Sequence, residues 1–459
     1  RSLYPKLEIE GGAGVRPHKN SINNYCYPEN PEAGIDLFLE KLVQETEKEH
    51  EDILEQADET DAMFGELYSW YLRNPEYRSR VQKLVQSAFA GKPEDIISQS
   101  VAKALYGEVS PYSATRLERF AACAFAHFLQ YGMKLTERVE YEFKPMDMGN
   151  VMHEALESFA EEVRKRGMKW TELTEQERNE IADRCLDNIV ADYGNTVLKS
   201  SARNEYMIER TRRILRRTVW ALQKQLEQGE FQPEGFEVTF GGGRIDRVDI
   251  MEDQNKVYVK VIDYKTGNTS FDLVYLYHGL QLQLMIYLDG ALRVEQKKYP
   301  DKEIIPAGVF YYNIKDPMIQ EKIDADVEAV SAGLMKELKM NGLVQADSEL
   351  VYRMDSSLGS IPVAFNKDGS FRKNSSVADR TQFAVLERYV RTKIEKIRNS
   401  ILEGDAEVSP YELGKKNACA YCPYMTVCGF DRRLSGYEFR RLKNFSDEEL
   451  WKAFDREAE

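Results

Sequence analysis

Hydrophobic residues recur with a helical period over most of this chain and with a two-residue period in its middle. Spacings of three and four residues between apolar positions predict helices over 35–104 and over 117–125, on either side of a boundary at 110–113. A further helix is predicted to begin near Gly149, and long charged helices are predicted over 176–228. The chain up to residue 228 is therefore expected to be mainly helical.

The pattern changes beyond residue 235, where apolar and polar positions alternate as they do in a β-strand with two different faces. Strands are predicted at 236–250, 257–263 and 307–314, and helices at 279–292, 317–341 and 378–403. Strands that alternate with helices in this way predict an α/β fold, with a mixed central sheet flanked by helices and a helical region in front of it.

The length of the chain sets its domain organisation. With 459 residues and an apolar fraction of 42%, it can form more than one buried core. We predict a mainly helical part at 1–105 and a second domain at 106–459. Because the sequence begins at Arg1, we expect it to be a piece of a longer protein. No apolar run approaches the roughly 20 residues that span a bilayer, and no signal-peptide pattern opens the chain, so we expect a cytoplasmic protein without a membrane partner.

Net charge argues mildly against a nucleic-acid partner, since the chain carries −14. One basic stretch, residues 203–224, is the local exception and is a candidate phosphate-binding track. The candidate DNA-binding residues within it are Arg212, Arg213, Arg216 and Arg217. The alternative is an ordinary solvated helix face.

The most specific local pattern is Gly243-Arg244-Ile245-Asp246 followed by Asp263-Tyr264-Lys265. The turn-forming residues 253–255 lie midway, which predicts an antiparallel hairpin. A pivot between residues 254 and 255 places Asp246 opposite Asp263, and Asp263 shares a face with Lys265. The hairpin therefore predicts two carboxylates and a lysine at one place.

Facing carboxylates repel each other, and each costs free energy when it loses water unless a positive charge lies between them. A hard divalent cation, Mg²⁺ or Mn²⁺, meets that need because it prefers carboxylate oxygens. A lysine beside the cation can orient water or stabilise developing negative charge. The alternative is an exposed hairpin with ordinary ion pairs.

Two further patterns flank the hairpin in sequence. His153 follows Gly149 by four residues on a predicted helix, and Gln283 and Tyr287 share one face of a later helix at i, i+4. Each pattern alone is typical of ordinary packing.

In this order, G-x-x-x-H at 149–153, G-R-I-D at 243–246, D-Y-K at 263–265 and Q-x-x-x-Y at 283–287 resemble the RecB-type nucleases of the PD-(D/E)XK superfamily. The resemblance implies that His153, Asp246 and Asp263 bind the metal, with the Tyr264 carbonyl as an extra ligand. It further implies that Lys265 is the catalytic lysine, supported by Gln283 and Tyr287.

Three of the six cysteines form the spacing C-x₂-C-x₅-C at Cys419, Cys422 and Cys428. Zinc and iron–sulfur sites usually have four ligands, and Cys123 is the best candidate for the fourth. A ligand so distant in sequence is unusual for a zinc finger, although a structural Cys₄ zinc site stays an alternative. Cys26 and Cys185 fit no ligand pattern and are expected to be ordinary thiols.

This arrangement resembles the iron–sulfur subset of these nucleases, in which one cysteine precedes the nuclease core and three follow it. The segment from Ser113 to Leu135 resembles the corresponding segment of AddAB-type helicase–nucleases, in their AddB chain, although Ala124 stands where proline is usual. The resemblance implies a [4Fe–4S] cluster that joins the ends of the nuclease domain, and a helicase-like region of which 1–105 is the tail.

The function implied by the resemblance is Mg²⁺-dependent exonuclease digestion of DNA, of the 5′-ended strand, in a heterodimer with a helicase–nuclease A subunit that processes double-strand breaks. The substrates would be duplex ends and single strands. An alternative is a non-catalytic iron–sulfur module that only grips DNA ends, although the intact motif residues weigh against it.

Overall fold

The computed structural model describes residues 30–47, 59–88, 96–107, 113–138, 145–192, 202–241, 243–319, 326–434 and 436–458. The chain divides into two compact units, the first formed by 1–95 with 425–439 and the second by 96–424 with 440–459. The predicted boundary at residue 105 stays a prediction. Cys26 lies outside the described residues.

Within the described ranges the helices are α1 Pro31–Glu47, α2 Glu59–Arg73, α3 Pro75–Ala88, α4 Gln99–Tyr106, α5 Ala114–Ala122, α6 Ala124–His127, α7 Pro145–Lys165, α8 Glu175–Asp192, α9 Ala202–Glu227, α10 Leu273–Tyr277, α11 Gln283–Lys298, α12 Val327–Glu337, α13 Ser348–Met354, α14 Arg380–Glu403, α15 Met425–Cys428 and α16 Asp447–Ala458. The strands are β1 Gln232–Phe240, β2 Gly243–Glu252, β3 Lys256–Lys265, β4 Glu303–Asn313, β5 Asn341–Gln345, β6 Val377–Ala378, β7 Tyr411–Leu413, β8 Lys416–Asn417 and β9 Arg440–Arg441. None of these helices is long and apolar enough to cross a bilayer.

The first unit is helical where it is described. Its core is formed by α1, α2 and α3, whose buried residues include Ile35, Leu67 and Val81. Tyr71 is fully buried and donates a hydrogen bond from its hydroxyl to the Pro31 carbonyl at 2.6 Å, which fixes the start of α1 against α2. The helical character predicted for this region is confirmed.

The second unit contains a six-stranded mixed sheet in the order β1-β2-β3-β4-β5-β6. Strands β1, β2 and β3 form an antiparallel meander, while β4 lies parallel to β3 after the crossover through α10 and α11. A small three-stranded sheet, β8-β7-β9, lies near the C-terminus. The predicted α/β fold with a mixed sheet flanked by helices is confirmed.

Two hydrophobic cores form on the two faces of the large sheet because side chains alternate along each strand. On β3, Val257, Val259 and Val261 belong to the core that contains α5, α11, α14 and α16. Ile262 and Tyr264 belong to the other core, with α7, α8 and α9. The sheet is therefore covered on both faces, and functional side chains are confined to strand ends and helix termini.

Two sequence predictions needed correction. The helix predicted over 317–341 was wrong at both ends, since α12 begins at Val327 and residues from Asn341 form β5. The helix predicted through Cys123 is interrupted there. Cys123 has an extended backbone (φ −166°, ψ 117°) and is the last cap of α5 and the first cap of α6.

Candidate active site

The hairpin of β2 and β3 has the predicted register. Arg247 pairs with Ile262, and the turn is closed by the Asp253 amide, which donates to the Lys256 carbonyl at 2.8 Å. Beyond Arg247 the Asp246 side chain replaces the backbone ladder, because its Oδ2 accepts the Tyr264 amide at 2.7 Å. The two strands thus separate at their ends, and Asp246 and Asp263 lie at this opening.

Asp263 and Lys265 share one face of β3, as the alternation predicted. Lys265 Nζ lies 2.6 Å from Asp263 Oδ2 and donates to Gln283 Oε1 at 2.7 Å. Gln283 Nε2 in turn donates to the Tyr287 hydroxyl at 2.9 Å, one turn along α11. The structure therefore brings Asp263, Lys265, Gln283 and Tyr287 into one connected chain of polar contacts.

His153 reaches the opposite side of Asp246 from helix α7. Its Nε2 lies 3.1 Å from the Tyr264 carbonyl, and its Nδ1 lies 3.4 Å from Asp246 Oδ2. The same Nδ1 is 3.7 Å from the carboxylate of Glu237 on β1, a residue that the sequence patterns did not single out. All the residues predicted to surround the metal are thus close together.

The charges at this opening are unbalanced. Burial raises the pKa of Asp263 to about 7, and the nearby Asp246 carboxylate adds to the increase. Burial tends to lower the pKa of His153, but its hydrogen bonds with the Asp246 and Glu237 carboxylates raise it to about 10. Asp263 Oδ2 is buried and accepts no hydrogen bond from the described residues, so its contact with Lys265 is an ion pair only. Such a site favours an additional cation.

The donor set fits a hard divalent cation. His153, Glu237 and Asp246 each offer a ligand atom, and these atoms lie within 4.8 Å of one another. Two carboxylates and an imidazole match the ligands of Mg²⁺ or Mn²⁺ sites that keep some of their waters. The acidic group is therefore a candidate metal site, and Asp263 and the Tyr264 carbonyl border it.

Glu237 and Glu118 are the two site residues that the sequence interpretation missed. Glu237 has a left-handed backbone (φ 50°) and also pairs with Arg244. Glu118 on α5 accepts the amides of Leu282 and Gln283 at 2.7 and 2.9 Å, and so caps the first turn of α11 from a distant part of the chain. Burial raises its pKa to about 7. A lone glutamate between apolar residues carries no local signal of either role.

The cysteines divide between the two units. Cys123 is buried in an apolar cluster with Leu129 and Tyr424, and Cys422 packs against this cluster. Arg119 Nη2 lies 3.8 Å from Cys422 Sγ. The thiols of Cys123, Cys419 and Cys422 do not all lie within 4.8 Å of one another in the described structure.

Cys428 belongs to the first unit, where its Sγ accepts the Phe430 amide at 3.5 Å. Cys185 is buried in the second core, away from these motifs.

The arginines of the basic stretch are engaged by groups of the protein itself. Arg212 pairs with Asp187 at 2.7 Å, and Arg216 pairs with Asp183, so both fasten α9 to α8. Arg213 pairs with Asp316 at 2.6 Å but remains 67% exposed, and the Arg217 guanidinium lies over the Trp220 ring. DNA binding by these four residues stays a prediction.

Known proteins share these features. A family model described as the PD-(D/E)XK nuclease superfamily matches residues 111–429. The second subunit (the "B" chain) of the ATP-dependent helicase/deoxyribonuclease of Lachnoclostridium phytofermentans is 41% identical, over 87% of this chain and 36% of that protein. The equivalent subunits of the enzymes from Thermoanaerobacter sp. (strain X514) and Clostridium acetobutylicum are 34% and 33% identical over the whole of this chain and 42% of each relative.

The chain spans about two fifths of the length of these curated relatives. The family match, by contrast, covers more than half of the chain, and it includes the hairpin, the histidine helix and α11. Since the motif residues within that match also meet at one opening of the sheet, the chain belongs to the PD-(D/E)XK nuclease superfamily.

Proposed function

We propose that this chain hydrolyses DNA phosphodiester bonds with the help of a divalent cation, as the nuclease region of a helicase–nuclease subunit. The observation that carries the proposal is the convergence of Asp246, Asp263 and Lys265 at the opening of the hairpin, with His153 behind them. Three carboxylates, counting Glu237, would be unfavourable in so buried a place without a cation to hold.

His153, Glu237, Asp246 and Asp263 would hold the metal, together with the Tyr264 carbonyl. When bound, Mg²⁺ or Mn²⁺ supplies Lewis-acid stabilisation of the negative charge that develops on the phosphate. Glu237 extends the predicted ligand set, and its contact with Arg244 keeps its carboxylate directed toward His153.

Lys265 is the residue that acts on the attacking water. Its ammonium group is held between Asp263 and Gln283, so that it can orient a water molecule and offset charge on the phosphate as one phosphate ester bond breaks. Gln283 is itself fixed by Tyr287 and by the cap that Glu118 provides to α11. Tyr287 and Gln283 therefore position the lysine and take no part in proton transfer.

The names of the relatives suggest the setting. Each relative is named as one subunit of an ATP-dependent helicase/deoxyribonuclease, and we propose that this chain likewise works with a helicase–nuclease A subunit on duplex ends and single strands. We further propose digestion of the 5′-ended strand during repair of double-strand breaks, in the cytoplasm where bacterial DNA is found.

We also propose that Cys123, Cys419, Cys422 and Cys428 bind a [4Fe–4S] cluster. Support comes from the cation beside Cys422, since a guanidinium near a thiol favours the thiolate that a metal requires. Burial of Cys123 beside Tyr424 also protects such a group from solvent. A structural Cys₄ zinc site is the alternative, and the visible absorbance of the purified protein separates the two.

The test of the proposed function is digestion of duplex and single-stranded DNA labelled at the 5′ or 3′ end. With Mg²⁺ we expect products to shorten progressively from the 5′ end, and no cleavage after chelation by EDTA. The non-catalytic DNA-gripping alternative predicts binding of the same ends without products. A protein with its helicase partner present that binds ends but never cuts them would refute the proposal.

A further inference from the structure

A cavity of about 540 Å³ lies behind the candidate active site, between α5, the end of β1, α11 and α14. This size is within the range of pockets that hold small organic ligands. It shares helix α11 with the active site, since Gln283 and Tyr287 project to the hairpin and Ile286, Gly290 and Val294 line the cavity. The cavity plays no part in the mechanism above.

One aromatic ring separates the cavity from the catalytic chain of contacts. Phe240 lines the cavity and packs edge-on against Tyr287, with ring centroids 5.9 Å apart. Gly290 permits this placement, because a Cβ there would lie 2.7 Å from the Phe240 ring. The cavity therefore begins one side chain away from the residue that fixes Gln283 and, through it, Lys265.

The lining combines an apolar wall with a cationic rim. Phe240, Ile286, Val294 and Val390 contribute to the wall. Four basic residues lie on the lining against two acidic ones, and they are Arg293, Lys297, Arg391 and Arg398 against Asp289 and Glu387.

A single carboxylate holds two of the rim cations together. Asp289 pairs with Arg293 at 2.8 Å and with Arg391 at 2.5 Å, so two guanidinium groups share one negative charge. Lys297 is exposed and forms no ion pair within the described part of the chain. The rim is therefore positive in a chain whose net charge is −14, which makes a phosphate-bearing ligand its complement.

We propose that this cavity is a nucleotide subsite, in which a base of the DNA strand enters the apolar wall while its phosphate lies against Arg293, Lys297 and Arg391. An unstacked base regains contact with apolar and aromatic side chains, and cationic groups bind the adjacent backbone. The subsite rests on the proposed function for its ligand. It would hold a strand at a fixed distance from Lys265, beyond the Tyr287–Phe240 layer.

The test uses the full chain carrying Asp263→Asn to prevent cleavage, with Mg²⁺ present. Binding of a fluorescein-labelled ten-residue oligothymidylate is measured for the parent, for Val294→Trp and for Lys297→Glu. Val294→Trp fills the cavity, and Lys297→Glu reverses a rim charge without breaking a described ion pair. Lys367→Glu is the matched control, since it makes the same charge change in an exposed loop whose flanking Phe365 and Phe371 pack on the other core.

We expect both cavity variants to weaken binding about tenfold, the loss of one stacked base or one phosphate contact, and the control to stay within about twofold of the parent. An oligomer with abasic sites should be insensitive to Val294→Trp but still sensitive to Lys297→Glu. Circular dichroism confirms that Val294→Trp is folded, and Lys297→Glu keeps the test decisive if it is not. Binding by both variants equal to that of the parent would overturn the subsite.

Competition by thymidine 5′-monophosphate identifies the source of the nucleotide. If it displaces the oligomer from the parent but not from Val294→Trp, the subsite accepts released product; if it does not compete, the subsite accepts a nucleotide only within a strand. Failure of the proposed function is distinct, because a chain that never cuts DNA can still lose binding with Val294→Trp. An active protein whose KM for the oligomer is unchanged by Val294→Trp would refute the subsite alone.

Discussion

The most buried charges of the second unit make a quantitative prediction about its stability. Asp249 on β2 is fully buried and receives two hydrogen bonds from Arg247, at 2.5 and 2.9 Å. Lys260, directly opposite on β3, lies 3.1 Å from the same carboxylate. Arg247 and Lys260 are only 2% and 5% exposed, so removal of this one charge leaves two cations in the core.

Asp249→Asn should therefore lower the free energy of unfolding by about 3–5 kcal/mol, the usual cost of breaking a buried ion pair from one side. This is a large part of the roughly 5–15 kcal/mol that stabilises a typical domain. The matched control is Glu252→Gln on the same strand, whose pair with Lys302 is exposed and whose loss should cost less than about 1 kcal/mol.

Urea denaturation followed by tryptophan fluorescence measures the difference, since the Trp170 ring lies 5.6 Å from the Arg247 guanidinium. Burial alone would raise the pKa of Asp249, but the Arg247 and Lys260 cations hold it below its ordinary value. Its contribution is therefore complete above about pH 4 and is lost as pH falls through the lowered pKa. A gap between parent and Asp249→Asn no larger than that of the control at pH 7 would refute this reasoning.

Three other predictions concern the proposed ligands. His153→Ala and Glu237→Gln should each raise the Mn²⁺ concentration for half-maximal cleavage by about tenfold or more, while an unchanged requirement would remove the residue from the ligand set. Cys123→Ser and Cys422→Ser should lose iron equally and Cys185→Ser should retain it; full iron content in Cys123→Ser would require a different fourth ligand. Charge reversal of Arg213 and Arg217 should weaken DNA binding at every sequence and reduce the slope of log K against log salt by about 2, so an equal slope would make the basic stretch a structural face.

The hairpin could be predicted because its signals are local. Alternating residues fix the faces of β2 and β3, and the turn residues around Gln254 fix the register that the structure has. The same alternation placed Asp263 and Lys265 on one face, and helical spacing placed Gln283 beside Tyr287. For these residues the sequence pattern and the geometry agree.

Other features depend on contacts between distant segments and left no local signal. Glu118 caps α11 although 164 residues separate it from Leu282, and Glu237 meets His153 only after β1 pairs with β2. Strand β5 is only five residues long and is selected by its pairing with β4. The interruption at Cys123 arises where its extended backbone caps two helices, which an apolar helical spacing cannot indicate.

The central claim is that the carboxylates and lysine at the hairpin opening carry out DNA hydrolysis. Its most direct test is the single-turnover rate of DNA cleavage in Mg²⁺ for the parent, for Asp263→Asn and for Asp253→Asn, the last being the same substitution at the exposed turn of the same hairpin. Loss of about 4 kcal/mol of transition-state stabilisation predicts a roughly thousandfold slower reaction for Asp263→Asn. The Asp253→Asn protein should cut at the parent rate, and cleavage by Asp263→Asn at that same rate would contradict the account.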